Sequence, residues 1–465
     1  LKPIVLYHPG GDHPTLPLGL VHLGSLFRDR RVTIVDGRVE LAPEAQVVAL
    51  CREAVCLGVT VRTGAPIRDA LRVCHAARAA NPGLPVIWGG WHPSLLPGQC
   101  LSSGAVDACA VGQGEGAFAA AVHVLEEKGS LHKVSGLVWR SGDGDVVRNP
   151  PGFFADVNGL PRANFGLLDL ERYFQARGSR RLDYCTSQTD ALRGAGGEPA
   201  WSGLCAERVV EEVRELTRSH KLSEVCFRDE DFFHDARRLE AIAQSLLEGK
   251  GRVPWSGAGR VESLRRLTDK QLELLKASGC RRVGLEFEAG RPGAAENGRG
   301  DLLEIAERLR RAGLGMRVSF LAGNAGQPRE RLRELYRTAK AIREIDGAFE
   351  TPLYLHPPYP GAPPPGPEPE ASPAASTLEE WAQIDLDSAP WPSKALSQRV
   401  SRYNFYLDQA YRSPGRRWGK KLVHALARVR VRLGFFGLDF ERRAVLWAAE
   451  ARTGRDRPRR PAAED

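Results

Sequence analysis

The sequence predicts an α/β protein in two successive parts, an open parallel sheet and then a partial (β/α)6 barrel, followed by a helical C-terminal region. Three observations predict it. Short apolar runs alternate with helix-length periodic segments through residues 1–130 and again from residue 182 onward. Strands separated by helices of this length form βαβ units, which pair in parallel. At 465 residues the chain is too long for one ordinary core, so two or three domains are expected.

In the first part the strand candidates are residues 4–7, 32–35, 55–59, 86–88 and 107–111, with helices at 18–27, 66–80 and 116–127. Glycines follow the strands: Gly10-Gly11 after the first, Gly58 and Gly64 around the third, Gly89-Gly90 after the fourth, Gly112 and Gly114 after the fifth. In open α/β sheets ligands bind outside the carboxyl ends of the strands, where glycine allows close backbone approach. Four such loops at one edge suit a large flat ligand; the same glycines would equally make tight strand-to-helix turns. The rhythm then pauses over a connecting region, 136–175, with a strand-like segment at 136–140. It resumes with strands at 182–186, 224–228, 254–257, 283–288, 315–321 and 349–355 and helices at 206–219, 237–247, 269–278, 301–311 and 329–345. Asp269 and Asp301 precede apolar-periodic runs and read as N-caps. Val209, Val210, Val213 and Leu216 share one helical face, a packing stripe. These units delimit domains at 1–135, 136–175 and 176–361, then a Pro-rich linker at 362–380 and a helical region with a basic tail at 381–465.

Composition narrows the function. Hydrophobic residues are 42% and charged residues 26%, the balance of a globular enzyme. No run approaches the roughly 18 apolar residues of a membrane span, and residues 1–9 lack the charged start and cleavage site of a secretory signal. A cytoplasmic protein is expected. Nine cysteines at 51, 56, 74, 100, 109, 185, 205, 226 and 280 form no CxxC pair and suggest buried apolar positions rather than disulfides. The net charge of +9 is spread over both halves, which argues against nucleic acid as a partner.

Five segments occur in a telling order: Pro17-Leu18-Gly19-Leu20, Val35-Asp36-Gly37-Arg38, Gly58-Val59-Thr60-Val61-Arg62-Thr63-Gly64, Trp88-Gly89-Gly90-Trp91-His92-Pro93 and Gly112-Gln113-Gly114-Glu115. Together they resemble the cobalamin-binding domain of the cobalamin-dependent radical SAM enzymes, a flavodoxin/Rossmann-like fold. The resemblance continues through Tyr184-Cys185-Thr186-Ser187, Trp201-Ser202-Gly203, Phe227 to Phe233, Leu274 to Cys280 and Pro358-Tyr359-Pro360-Gly361, to about residue 410. It implies a corrinoid held between this domain and a radical-SAM-type barrel, touched by Leu18, Gly19, the loop Thr60, Val61, Arg62, Thr63, Gly64, the loop Gly89, Gly90, Trp91, His92, Pro93, and the loop Gly112, Gln113, Gly114, Glu115. The DxHxxG signature of a lower cobalt ligand is absent, since Asp12 and His13 are adjacent; the family commonly lacks it. His92 reads as a loop histidine near the ring rather than a cobalt ligand.

One departure is central. Where the family carries CxxxCxxC, whose three thiolates hold a four-iron cluster that chelates SAM, this sequence places Asp190, Gly194 and Gly197. No 4Fe-4S cluster and no metal ligand set is expected. SAM remains a candidate cofactor: the family's Glu-Ser-Gly-Ser turn is Glu288-Ala289-Gly290-Arg291 here, and Arg193 or Arg291 could pair with the SAM carboxylate. Glu230 and Asp229, at the end of the second barrel strand, are the candidate general bases. Asp231 could equally cap the turn, paired with Arg228 or Arg237. Glu288, Tyr354 and His356 also end strands.

The resemblance and its departure imply a non-radical cobalamin-dependent methyltransferase, or a related alkyl transfer or cyclisation, acting on a small molecule. The alternative is a catalytically retired cobalamin-binding sensor or partner of an intact paralogue. Residues 357–374 are proline-dense and extended. Residues 416–433 interleave Arg and Lys with Trp418, Leu422, Leu426, Val429 and Leu433 at helical spacing. Such a segment lies on an anionic membrane surface, meets a lipid-like substrate, or docks on the barrel as a basic helix.

Overall fold

The computed structural model describes residues 1–11, 15–190, 200–249, 252–288, 298–322, 329–355, 377–384, 394–413, 418–437 and 439–453. Its described residues form two compact units, one within residues 1–284 together with 377–384, the other within residues 285–355 together with 394–453.

The first unit opens with strands β1 (Ile4–His8), β2 (Val32–Asp36), β3 (Cys56–Thr60), β4 (Val86–Gly89) and β5 (Ala108–Ala110), all parallel, in the order β2-β1-β3-β4-β5. Two antiparallel strands, β6 (Leu137–Arg140) and β7 (Val146–Arg148), extend the sheet beyond β5. The strand order reverses between β1 and β3, the switch point where doubly wound sheets open a crevice. Each strand reads as a continuous apolar run because both faces are covered. Ile4 and Leu6 enter one core while Val5 and Tyr7 enter the other, as the two-residue side-chain alternation requires.

The covering helices are α1 (Leu18–Ser25), α2 (Pro43–Cys51), α3 (Pro66–Ala80), the short α4 (Trp91–Leu95) and α5 (Pro97–Ser102), and α6 (Gly114–Glu126). In α3, Ile67, Ala70, Val73, Cys74 and Ala77 are buried, a three- and four-residue spacing that makes one apolar stripe. Helix α2 and the pair α4–α5 were not expected; α4 begins within the segment read as a loop at Gly89–Pro93.

The chain continues through α7 (Leu170–Arg177) into β8 (Arg181–Tyr184), a hairpin of β9 (Ser187–Asp190) and β10 (Ala200–Gly203), α8 (Ala206–His220), β11 (Glu224–Phe227), α9 (Ala236–Glu248), β12 (Trp255–Gly259), α10 (Val261–Arg266), α11 (Asp269–Ala277) and β13 (Cys280–Glu288). β8, β11 and β12 pair in parallel, Leu182 opposite Val225 and Val225 opposite Trp255. The strand expected at 182–186 stops at Tyr184. The amide of Thr186 donates to the Asp229 carboxylate at 3.0 Å and its carbonyl accepts from Leu204, so the backbone leaves the ladder and turns into β9. The cap of α11 is Thr268, in a reciprocal capping box with Gln271, rather than Asp269.

The second unit takes β13 onward into α12 (Gly298–Arg311), β14 (Gly315–Ala322), α13 (Arg329–Ile345) and β15 (Leu353–Leu355), with β14 and β15 parallel. Asp301 lies buried inside the first turn of α12 rather than capping it. The strand expected at 349–355 is reduced to its last three residues; Pro352 has no N–H to donate and interrupts it. The helix α14 (Leu378–Gln383) belongs to the first unit, where Leu378, Trp381 and Ala382 join the core beside α3. It therefore straddles the boundary expected at 380/381. Helices α15 (Lys394–Tyr411), α16 (Trp418–Leu433) and α17 (Phe440–Thr453) complete the second unit. Seven cysteines are buried, Cys185 is half-buried and Cys205 exposed, and none is in a disulfide.

Candidate functional site

Within the first unit the carboxyl ends of β3, β4 and β5 and the facing ends of α1 and α6 enclose a cavity of about 410 Å³. Its floor is apolar, with Leu20, Leu23, Ile87, Trp88 and Phe118. Glycines 19, 58, 89, 90, 112 and 114 line it, which thins the wall to backbone. A Cβ on Gly19 would meet nothing within 4 Å, and one on Gly114 only Ala110 at 3.8 Å; side chains there would grow into the cavity. Gly90 is required for a different reason. Its φ is +95°, and a Cβ would lie 3.1 and 3.2 Å from the Val61 backbone, so only glycine can make the turn from β4 to α4.

The opposite wall comes from the hairpin and the ends of β8 and β11: Cys185, Ser187, Gln188, Thr189, Asp190, Arg228 and Glu230. A chain of amides ties this wall to the loop after β5. Gln113 bonds Gln188, Gln188 donates to Glu115 at 2.7 Å, and Gln113 also accepts from the Ala155 amide. Glu115 is thereby buried but paired, whereas Glu230 keeps its side chain 53% exposed, with Arg260 no nearer than 3.9 Å. Of the three carboxylates lining the cavity, Glu115 is buried, Asp190 half-buried and Glu230 the most exposed.

Asp229 is placed elsewhere. It is buried and does not line the cavity; it accepts from Thr186 Oγ1 at 2.8 Å and Ser187 Oγ at 2.5 Å, while Oδ2 has no partner. Arg238 reaches the same Thr186 hydroxyl at 2.6 Å. Burial pushes the Asp229 carboxyl up, against the pull of the Ser187 and Thr186 hydrogen bonds and the Arg238 charge. A carboxyl that holds its proton more tightly when folded loses stabilising free energy as pH rises from the ordinary carboxylate range through its folded value. Asp229→Asn is therefore expected to remove that negative slope, read as urea midpoints of variant and wild type against pH.

Asp231 pairs with neither Arg228 nor Arg237. Its carboxylate accepts from Ser263 Oγ at 2.5 Å and lies near the Arg260 amide. Arg228 instead meets the buried Asp183 at 2.7 Å, which also binds Arg177 at 2.5 Å. Burial alone would push Asp183 up, but the two guanidinium groups outweigh it and hold the carboxyl below its ordinary value. Asp183→Ala removes the buried carboxylate that both Arg177 and Arg228 pair with, so a loss of about 3 kcal/mol is expected in urea unfolding.

Of the residues expected at the site, Gly19, Thr60, Gly89, Gly90, Trp91, Gly112, Gln113, Gly114, Glu115 and Glu230 line the cavity, and so does Asp190, which stands at the first of the lost cysteine positions. Leu18, Val61, Arg62, Thr63, Gly64, His92 and Pro93 do not. β3 ends at Thr60, the Val61 amide closes onto Gly89 O, and the chain then turns toward α3. His92 is fully buried, its Nδ1 3.1 Å from Thr63 Oγ1 and its ring edge-on to Trp381. It belongs to the core between α3 and α14 rather than to the loop beside the ring.

The Asp36-Gly37-Arg38 segment is also internal. Arg38 clamps the Asp36 carboxylate at 2.8 and 2.7 Å, and Tyr173 donates to it. The Glu288 side chain, Gly194, Gly197, Arg193, Arg291, His356, His13 and the proline-dense 357–374 lie outside the description. Tyr354 is exposed and accepts from Arg317 at 2.7 Å. Sequence reasoning did not anticipate Phe154, Ser94, Gln188 or Thr189 in the lining. Phe154 sits in the connecting region, where no periodicity marked it.

A large ring with an apolar face and amide-bearing edges fits this donor set: glycine backbone above an apolar floor, with Gln113, Gln188 and Ser94 at the rim. The comparisons agree. Residues 3–122 match the B12 binding domain family. An uncharacterised methyltransferase of Pyrococcus horikoshii is 26% identical over 364 residues, covering 74% of this chain and 76% of that protein. Among solved structures, the radical S-adenosylmethionine methyltransferase TsrM of Kitasatospora setae, with tryptophan and a SAM analogue bound, superposes with a TM-score of 0.62 at 17% identity, over 77% of this chain and 73% of that one. The cobalamin-dependent S-adenosylmethionine radical enzyme OxsB, with aqua-cobalamin and S-adenosylmethionine bound, gives 0.63 at 17% identity, over 76% and 53%.

Proposed function

From a chain that carries a B12-binding domain at residues 3–122 and has the fold of the cobalamin-dependent radical SAM enzymes, we propose a methyltransferase that uses cobalamin in polar, non-radical alkyl transfer to a small molecule. The observation that carries this reading is the glycine-walled cavity whose most exposed carboxylate, Glu230, stands on the wall opposite the B12-binding sheet. Gly19, Gly89, Gly90 and Gly114 would hold the corrinoid face by backbone contact, and Gln113, Gln188 and Ser94 its amide edge.

When bound, cobalamin supplies a methyl group as a cation equivalent to a nucleophile, with SAM as the methyl source. The residues of this chain then position the acceptor and move its proton. Glu230 takes the proton released as the acceptor forms its new bond to carbon. Gln188, fixed between Gln113 and Glu115, keeps the wall that carries Glu230 in register with the glycine loops above the apolar floor. Leu20, Leu23 and Phe118 exclude water from that floor.

The cysteines support a reading without a cluster. Three thiolates must converge to hold four irons. Here Cys185 is the one cysteine lining the cavity, its thiol pushed far up by burial. Of the rest only Cys205 is exposed, and the other seven are buried. These residues do not fit a four-iron cluster.

Anaerobic reconstitution with hydroxocobalamin, iron and sulfide, then reduction of the bound cobalamin to cob(I)alamin with titanium(III) citrate and addition of SAM, tests the reading. Stoichiometric cobalt, no bound iron and formation of S-adenosylhomocysteine are expected. Bound iron near four per chain with 5′-deoxyadenosine would overturn the polar mechanism. Cobalt binding without SAM turnover would favour a retired cobalamin sensor.

A further inference from the structure

We infer that the outward face of α16 is a docking surface for an anionic lipid bilayer. The helix packs on α15 through Ala427 and Val431, which are buried. Five other apolar residues point away: Trp418, Leu422, Leu426, Val429 and Leu433 are 81%, 52%, 40%, 52% and 74% exposed. At 3.6 residues per turn these five fall within an arc of about 80°, opposite the buried pair. Lys421, Arg428 and Arg432, all exposed, lie along one flank of that arc. Arg430, off the face, is bound to Glu441 of α17 with Nη2 at 3.1 Å from Oε2, and fixes the helix.

No described residue covers this face, and an apolar stripe of this length left in water marks an interaction surface. The charge selects the occupant. Between Trp418 and Leu433 there is no Asp or Glu, and Arg416-Arg417 immediately precede the helix. A second copy meeting the same face about a twofold axis would set Lys421, Arg428 and Arg432 against their own kind with no acidic complement. A bilayer of anionic lipid satisfies both features at once: aliphatic side chains and the Trp418 ring enter the acyl boundary while the cations meet phosphate. The helix cannot cross that bilayer; among the described residues no helix is long and apolar enough to do so.

Flotation of the full chain with phosphatidylglycerol–phosphatidylcholine vesicles, against phosphatidylcholine alone, is the test. Wild type is expected to float with the anionic vesicles and remain free of the neutral ones. The K421Q/R428Q/R432Q variant should lose about 100-fold in partition coefficient, and L422S/L433S about 10-fold or more. Both should keep the wild-type circular dichroism and melting temperature, because every substituted side chain is exposed. Equal flotation by wild type and variants, or none by wild type, would overturn the proposal. So would a wild-type dimer in sedimentation equilibrium that L422S/L433S converts to monomer, since the face would then serve a second copy.

Discussion

Glu230→Gln is expected to lower methyl transfer by about 10²- to 10⁴-fold, the usual contribution of a positioned general base, without loss of bound cobalamin. The separation follows from placement. Glu230 ends the turn after β11 on the wall facing the glycine loops, with a side chain 53% exposed and its ion-pair partner Arg260, itself exposed, at 3.9 Å. Removing its charge strands nothing, so the fold should hold. Gln keeps the volume and can still accept a hydrogen bond, but it cannot take the acceptor's proton. Turnover should fall while KM changes little, and the cobalamin spectrum should match wild type. Asp229→Asn should behave differently, because Asp229 sits behind the wall, bonded to Thr186 and Ser187. Its loss acts on stability and its pH dependence. If Glu230→Gln retains full turnover while Asp229→Asn abolishes it in a folded protein, the base has been misassigned.

Gly114→Phe is expected to abolish cobalamin binding, by at least about 100-fold in Kd, while leaving the protein folded. The Cβ direction is open, with only Ala110 within reach at 3.8 Å, so the new ring has room but that room is the cavity. Gly114 is the first residue of α6 and its φ lies outside the left-handed region, so a side chain there leaves the backbone unstrained. Stability should therefore stay close to wild type while affinity collapses, a pairing that misfolding cannot produce. Gly90→Ala is the contrasting control. There the strained φ and the Val61 backbone make any side chain destabilising, so stability and cobalamin binding should fall together. Hydroxocobalamin retention on gel filtration and a urea titration read both quantities.

Much of the fold was legible because its signals are local. The βαβ alternation located all five parallel strands of the first sheet and bounded α3 at Pro66–Ala80 and α13 at Arg329–Ile345. What periodicity missed was short or polar: α2 and α7, nine and eight residues long, α4 and α5, five and six residues long, and the β9–β10 hairpin. Its first arm, Ser187-Gln188-Thr189-Asp190, has no apolar alternation to mark a strand. Two caps were misplaced by one or more residues because Asp favours both the N-cap and the first turn.

The sequence alone determined the B12-binding sheet, the glycines at its carboxyl edge and the lack of any CxxxCxxC run, since strand pattern, glycine position and cysteine spacing are properties of the linear chain. Only the tertiary structure decided which residues of each loop face the cavity. Thr60 and Trp91 line it while His92, one residue past Trp91, is turned fully into the core against Trp381. Glu230 lines it while Asp229, its neighbour, is buried behind. Adjacent side chains leave the backbone in different directions, and which one meets the ligand depends on contacts made by α14 or β9, segments distant along the chain. No local pattern records those contacts.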